Sequence, residues 1–102
     1  MNQRNPAILK SARGQVCTLA LPGICRSRTD TVVWCHSPYI EDGKGTGIKA
    51  HDALGAYGCV DCHDALDGRR KTDISRDEMR DYFHRALKKS LILMWRNGVK
   101  PW

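Results

Sequence analysis

Long apolar runs are missing from this chain. The longest near the C-terminus, LILMW over 91–95, is far short of the roughly 20 residues a membrane-spanning helix needs. The first fourteen residues, MNQRNPAILKSARG, hold no apolar core and no small-residue cleavage site, so they do not read as a secretory signal. No repeat or low-complexity tract is present, which excludes a solenoid. The glycines of GKGTGIK, 43–49, lack the spacing of a phosphate-binding P-loop and the helix opening on Lys-Ser/Thr that should follow. They read as a flexible loop. Carboxylates are scarce in the last third. Residues 69–102 hold four against ten Lys and Arg, whereas residues 1–68 hold seven of each, so the whole net charge of +6 lies beyond residue 68. A cytoplasmic protein with a polyanionic partner, most simply DNA, is the expectation.

Cysteine, by contrast, is plentiful: five in 102 residues. A chain of this size makes one domain with a modest core, and such domains often need a staple. In the cytosol that staple is more often a metal than a disulfide, and an odd count leaves one thiol over in any disulfide scheme.

Local patterns divide the chain into a short basic lead-in over 1–15, a cysteine-bearing core over 16–71 and a helix over 75–97. CTLALPGIC places Cys17 and Cys25 around a Pro22-Gly23 turn. TVVWCH, 31–36, is β-branched and aromatic, and predicts a strand that stops at Ser37-Pro38. A short helix is expected from about Cys62 to Gly68 or Arg70. Ser75 followed by Glu78 is a capping box, and Asn97-Gly98 with Pro101 marks a stop. Between them Met79, Tyr82, Phe83, Ala86, Leu87, Leu91, Met94 and Trp95 recur at helical spacing. That apolar face needs a cover, either the small core or a second copy, and the second choice would make a homodimer through the C-terminal helix.

The stretch CVDCHDALDGRR, 59–70, permits two readings. As C-x-x-C-H it is a site for covalent haem, but that chemistry belongs to exported proteins and leaves three cysteines unexplained, so haem is not expected. As one knuckle of a zinc site it pairs with Cys17 and Cys25, and four thiolates around zinc make a closed structural site. The structural zinc would then be held by Cys17, Cys25, Cys59 and Cys62, with Cys35 a packing residue of the strand. His63 and Asp67, four apart, project from one helix face and could share a second divalent ion. His36 ends the strand. A strand-borne histidine, a loop, then a knuckle and helix is the order of parts in the ββα-metal, or HNH, nuclease motif. His51 and His84 have no evident partner and read as surface residues.

From about Ala12 to Gly98, the pattern ARGQVC, PGIC, CHSPYI, GTGIK, CVDCHDALDGR resembles the YbcO-like family of small prophage-encoded nucleases, which are HNH-related. The resemblance implies a small α+β fold, a zinc-stapled ββα-metal core with a long C-terminal amphipathic helix. It places His36 at the general base, Asp52 near the motif's middle position, and His63 and Asp67 at the helix-borne ligands of Mg²⁺ or another divalent cation. Two positions depart from the usual pattern: Cys35 stands where a hard ligand precedes the base, and Asp67 replaces the final histidine. Arg13, Lys49, Arg69, Arg70 and Lys71 are the expected phosphate contacts. The implied activity is metal-dependent hydrolysis of DNA by a protein of phage origin. The alternative is a zinc-stabilised nucleic-acid-binding module without catalysis.

Overall fold

Val33 to His36 form a strand within the β-branched and aromatic segment that predicts one, and its two central residues, Trp34 and Cys35, are both buried. In the computed structural model, which describes residues 6–39 and 53–100, β1 spans Val33–His36 and pairs antiparallel with β2, Gly55–Gly58, in the register Val33↔Gly58 to His36↔Gly55. A short helix α1, Pro6–Ser11, precedes the sheet; α2, Val60–Leu66, and α3, Arg76–Arg96, follow it. The small α+β architecture with a long C-terminal helix is therefore present.

β2 is the element the residues disguise. GAYG carries two glycines, which ordinarily weaken a strand, yet all four of its residues are buried. The glycines are there because nothing larger fits. A Cβ on Gly55 would lie 2.5 Å from the Cys35 carbonyl oxygen, and one on Gly58 would lie 2.6 Å from Leu19 Cδ1 and 2.8 Å from Cys35 Sγ. α1 lies within the expected lead-in. Pro6 suits a first helical position, and the helix is anchored by Ile8, which is fully buried together with Ala12 just beyond it.

A two-stranded sheet has an unpaired edge on each side and is marginal alone. Here the outer edge of β2 is closed by side chains of Ser90 and Thr18 and by backbone amides of the loop that carries Thr18. The Tyr57 N–H donates to Ser90 Oγ at 3.0 Å. The Tyr57 carbonyl accepts from Thr18 N at 2.8 Å, Leu19 N at 3.3 Å and Thr18 Oγ1 at 2.7 Å. Ser90 Oγ also lies 3.0 Å from Thr18 Oγ1 and 2.7 Å from the Ala86 carbonyl. The Tyr57 ring meets Trp34 edge-on at 5.1 Å, and its hydroxyl bonds Ser11 at 2.6 Å.

α3 begins and ends where its signals fall, with Ser75 and Glu78 exchanging both capping-box bonds and Asn97 as C-cap. Its buried stripe is Met79, Phe83, Ala86, Ser90 and Met94, with Tyr82, Leu87 and Leu91 partly buried beside it. Trp95 corrects the sequence reading: it is 83% exposed. At 100° per residue it lies one step round from Met94, beyond the arc that a two-stranded sheet can cover. The stripe expected to meet either the core or a second copy is buried within the chain. His84, expected at the surface, is half-buried with its ring 6.0 Å from that of Tyr39.

Replacing Ser90 with alanine leaves the buried Tyr57 N–H without its acceptor, a loss of about 1–3 kcal/mol, while Ser75→Ala at the exposed cap costs about 1 kcal/mol. Thermal unfolding should therefore rank Ser90→Ala below Ser75→Ala, although alanine is the better helix former at position 90. Equal or reversed melting points would show that β2's edge does not depend on Ser90.

Candidate functional site

The four predicted cysteines converge. The sulfurs of Cys17, Cys25, Cys59 and Cys62 all lie within 4.8 Å of one another, and among the described residues they are the one group of three or more metal-capable side chains so placed. A tetrahedral ion with bonds of about 2.3 Å holds its sulfurs roughly 3.8 Å apart, so the cluster suits a thiophilic metal. Two turns deliver it. Leu21 to Ile24 close on a 3.1 Å hydrogen bond with Pro22 second and Gly23, at φ 72°, third, the pattern of a type II turn. On the other side Cys59 is the N-cap of α2 and Cys62 lies in its first turn.

Backbone amides already face the sulfurs. Cys17 Sγ accepts from Cys59 N at 3.2 Å and Ala20 N at 3.4 Å, and Cys25 Sγ accepts from Ser27 N at 3.4 Å. Among the described residues, Ala20 and Ser27 are the two non-glycine residues with positive φ, 44° and 57°. This uncommon backbone for L residues turns their N–H groups inward. The Cys62 thiol, donating to Cys17, and then the Cys59 and Ala20 amides bring the Cys17 thiol down to about 5, against the rise that burial causes. Cys62, holding the shared proton and itself buried, is pushed up, and Cys25 is raised by burial. Cys35 stands apart. It is wholly buried, its thiol points at the Val33 and Gly58 carbonyls, and burial, then the charge of Asp67, keeps it protonated. It packs, as expected.

One turn further along α2, His63 Nε2 lies 3.0 Å from Asp67 Oδ2, each side chain 25% exposed. The two predicted ligands are thus together and reachable from solvent. His36 is half-buried at the end of β1, and among the described residues it does not join them in a cluster of three ligands. Asp52 and Lys49 lie outside the described residues, as does His51.

The expected phosphate contacts divide in a way the sequence did not reveal. Arg69 reaches Asp64 and Asp67, both at 3.7 Å, and Arg70 reaches Asp61 at 3.2 Å. Asp61 also receives Arg26 at 3.8 Å. Asp61, Asp64 and Asp67 recur at three-residue spacing on α2, and that acidic row just before two arginines was the signal to read. Arg13 and Lys71 are exposed. A groove of about 560 Å³ runs from Asp67 past Lys71 to the first turn of α3, with Tyr39 on one wall and Arg80 stacked over its ring at 4.2 Å.

Metal analysis of the purified protein should find about one tightly held thiophilic ion per chain, lost in Cys62→Ser and kept in Cys35→Ala. Because thiolates bind metal and thiols do not, acidification should release the ion. Retention in Cys62→Ser would show that the cluster is not its site.

A profile of the family described as "Putative nuclease YbcO" matches residues 6–99. The protein of that name from Escherichia coli (strain K12) is 37% identical over 60 residues, covering 59% of this chain and 62% of that protein. "Putative nuclease ybcO" of Enterobacteria phage 82 matches to the same extent. The chain thus spans less than two thirds of the length of these curated relatives. A solved structure, described as that of a putative bacteriophage protein from Escherichia coli str. K-12 substr. MG1655, superposes with a TM-score of 0.70 at 23% identity, covering 89% of this chain and 99% of that one. That likeness shows a shared fold. With the family profile spanning nearly every described residue, this chain belongs to the YbcO family.

Proposed function

We propose that the protein is a metal-dependent endonuclease of the HNH type that hydrolyses phosphodiester bonds in DNA, with zinc in the four-cysteine cluster as a structural staple. The observation that carries the reading is the His63–Asp67 pair at 3.0 Å on the helix that the cluster anchors, in a chain whose family is described as a nuclease. Four sulfurs and no open position leave the zinc a folding role.

The donor set of the second site, one imidazole and one carboxylate, fits part of an octahedral shell, with waters and phosphate oxygens to complete it. Mg²⁺ or another divalent cation bound there would supply Lewis-acid stabilisation of the charge that builds on the phosphate. His36, in its neutral form, accepts the proton of the attacking water. Asp52 takes the motif's middle position by the family pattern. Arg13, Lys49 and Lys71 hold flanking phosphates; Arg69 and Arg70 can join them only by exchanging a carboxylate partner for a phosphate. A non-catalytic zinc-stapled binding module is the second reading, and one observation favours it: Arg69 as well as His63 already approaches Asp67 Oδ2.

Supercoiled plasmid incubated with the protein should be nicked when Mg²⁺ or Mn²⁺ is added and left intact with EDTA. His36→Ala should slow nicking by about 10²–10⁴-fold while DNA affinity and melting temperature stay near those of the parent. Wild type and variant cutting at the same rate would remove His36 from the mechanism. Both remaining inert on plasmid, branched and single-stranded DNA while still binding it would establish the binding-module reading instead.

A further inference from the structure

Four cations of α3 stand apart from the two arginines that follow α2. Arg85, Lys88, Lys89 and Arg96 are exposed, and among the described residues none forms an ion pair with a carboxylate. At 100° per residue they fall within one arc of the helix, the arc that faces away from β2. Within the same arc lie the two most exposed apolar side chains of α3, Ile92 at 53% and Trp95 at 83%.

This face continues the groove at Asp67. That groove shares Lys71, Thr72 and Ile74 with a second one, which meets a third at Tyr82; the third, of about 430 Å³, is walled by Arg85, Lys88, Lys89 and Ile92. Arg85 lies over the Tyr82 ring at 5.5 Å. Two carboxylates line the middle stretch: Glu78, whose charge is engaged by the Ser75 amide, and Asp73. From Tyr82 to Trp95 the track is roughly 20 Å long, at 1.5 Å per residue.

We propose that this outer face of α3 is a track for single-stranded nucleic acid, with cations along the phosphates and Trp95 as a stacking platform for an unpaired base. It rests on the nuclease reading for the kind of substrate, and narrows that substrate to DNA with an unpaired segment beside the cut. Unpaired phosphates need cations spaced along a groove, and unpaired bases need an exposed aromatic face. A duplex needs only the first, because its base faces are hidden in the stack. A lipid surface needs a broad continuous apolar face, whereas here two apolar residues stand among four cations.

The test is fluorescence anisotropy with the full chain and no added divalent ion, using a labelled oligothymidylate about twice the length of the track, a duplex of equal length, and vesicles containing an anionic phospholipid. The oligothymidylate should bind more tightly than the duplex. Trp95→Ala should weaken it about tenfold, within the range for losing one stacked base, and leave duplex binding unchanged. Lys88→Ala with Lys89→Ala should reduce the slope of log affinity against log salt by about 1.4, two phosphates at roughly 0.7 each. The proposal is overturned if Trp95→Ala leaves oligothymidylate binding unchanged, if the duplex binds as tightly, or if vesicles bind in preference to both. The same variants go through the plasmid assay. His36-dependent nicking with Trp95 neutral to binding sinks the track and keeps the nuclease; Trp95-dependent binding with no cleavage of any substrate does the reverse.

Discussion

The peptide groups of Tyr57 at the outer edge of β2 are the constraint that the rest of the structure answers. Two short strands cannot bury their own polar edge, and an unsatisfied buried N–H or carbonyl costs as much as several good contacts supply. Ser90 of α3 takes the N–H, and Thr18 and Leu19 of the cysteine loop take the carbonyl. The long helix, the sheet and the first knuckle are therefore fixed to one another at a single residue, with Phe83, Met94 and Leu19 closing the core around it. No buried side-chain nitrogen or oxygen among the described residues is left without a partner.

From that junction the site follows by short steps. Thr18 holds Cys17 beside Cys59, whose amide points at the Cys17 sulfur. Cys59 starts α2, and α2 carries His63 and Asp67 one turn on. The cluster thus sets the direction of the helix that bears the candidate ligands. Cys35, a thiol that burial keeps neutral, packs against Gly58.

Much of this was legible in the residues. The turn at Pro22-Gly23, the strand ending at His36, the knuckle and the capped α3 all carry local signals, and local structure obeys them. What was not legible had a tertiary cause. β2 carries no strand signal because its glycines answer to Cys35 and Leu19, far away in sequence. α1 reads as a lead-in because one buried isoleucine, and not helical propensity, holds it. Trp95 reads as core because periodicity gives the apolar arc and not the width of the sheet that covers it. Arg69 and Arg70 read as phosphate ligands because basic composition does not show which cations are already matched by acids one or two turns earlier.

The contact between Thr18 and Ser90 spans 72 residues of chain, and this has a consequence for how the protein comes to exist. During synthesis the cysteines, both strands and α2 all emerge before the hydroxyl that closes β2's edge. Until Ser90 arrives, the nascent chain carries a short open strand edge and a core without its largest cover. Loop-closure entropy defers such distant pairings to the end of folding. The last third of the chain, with its surplus of lysine and arginine, is therefore also the part that turns a collection of local structures into a single cooperative unit.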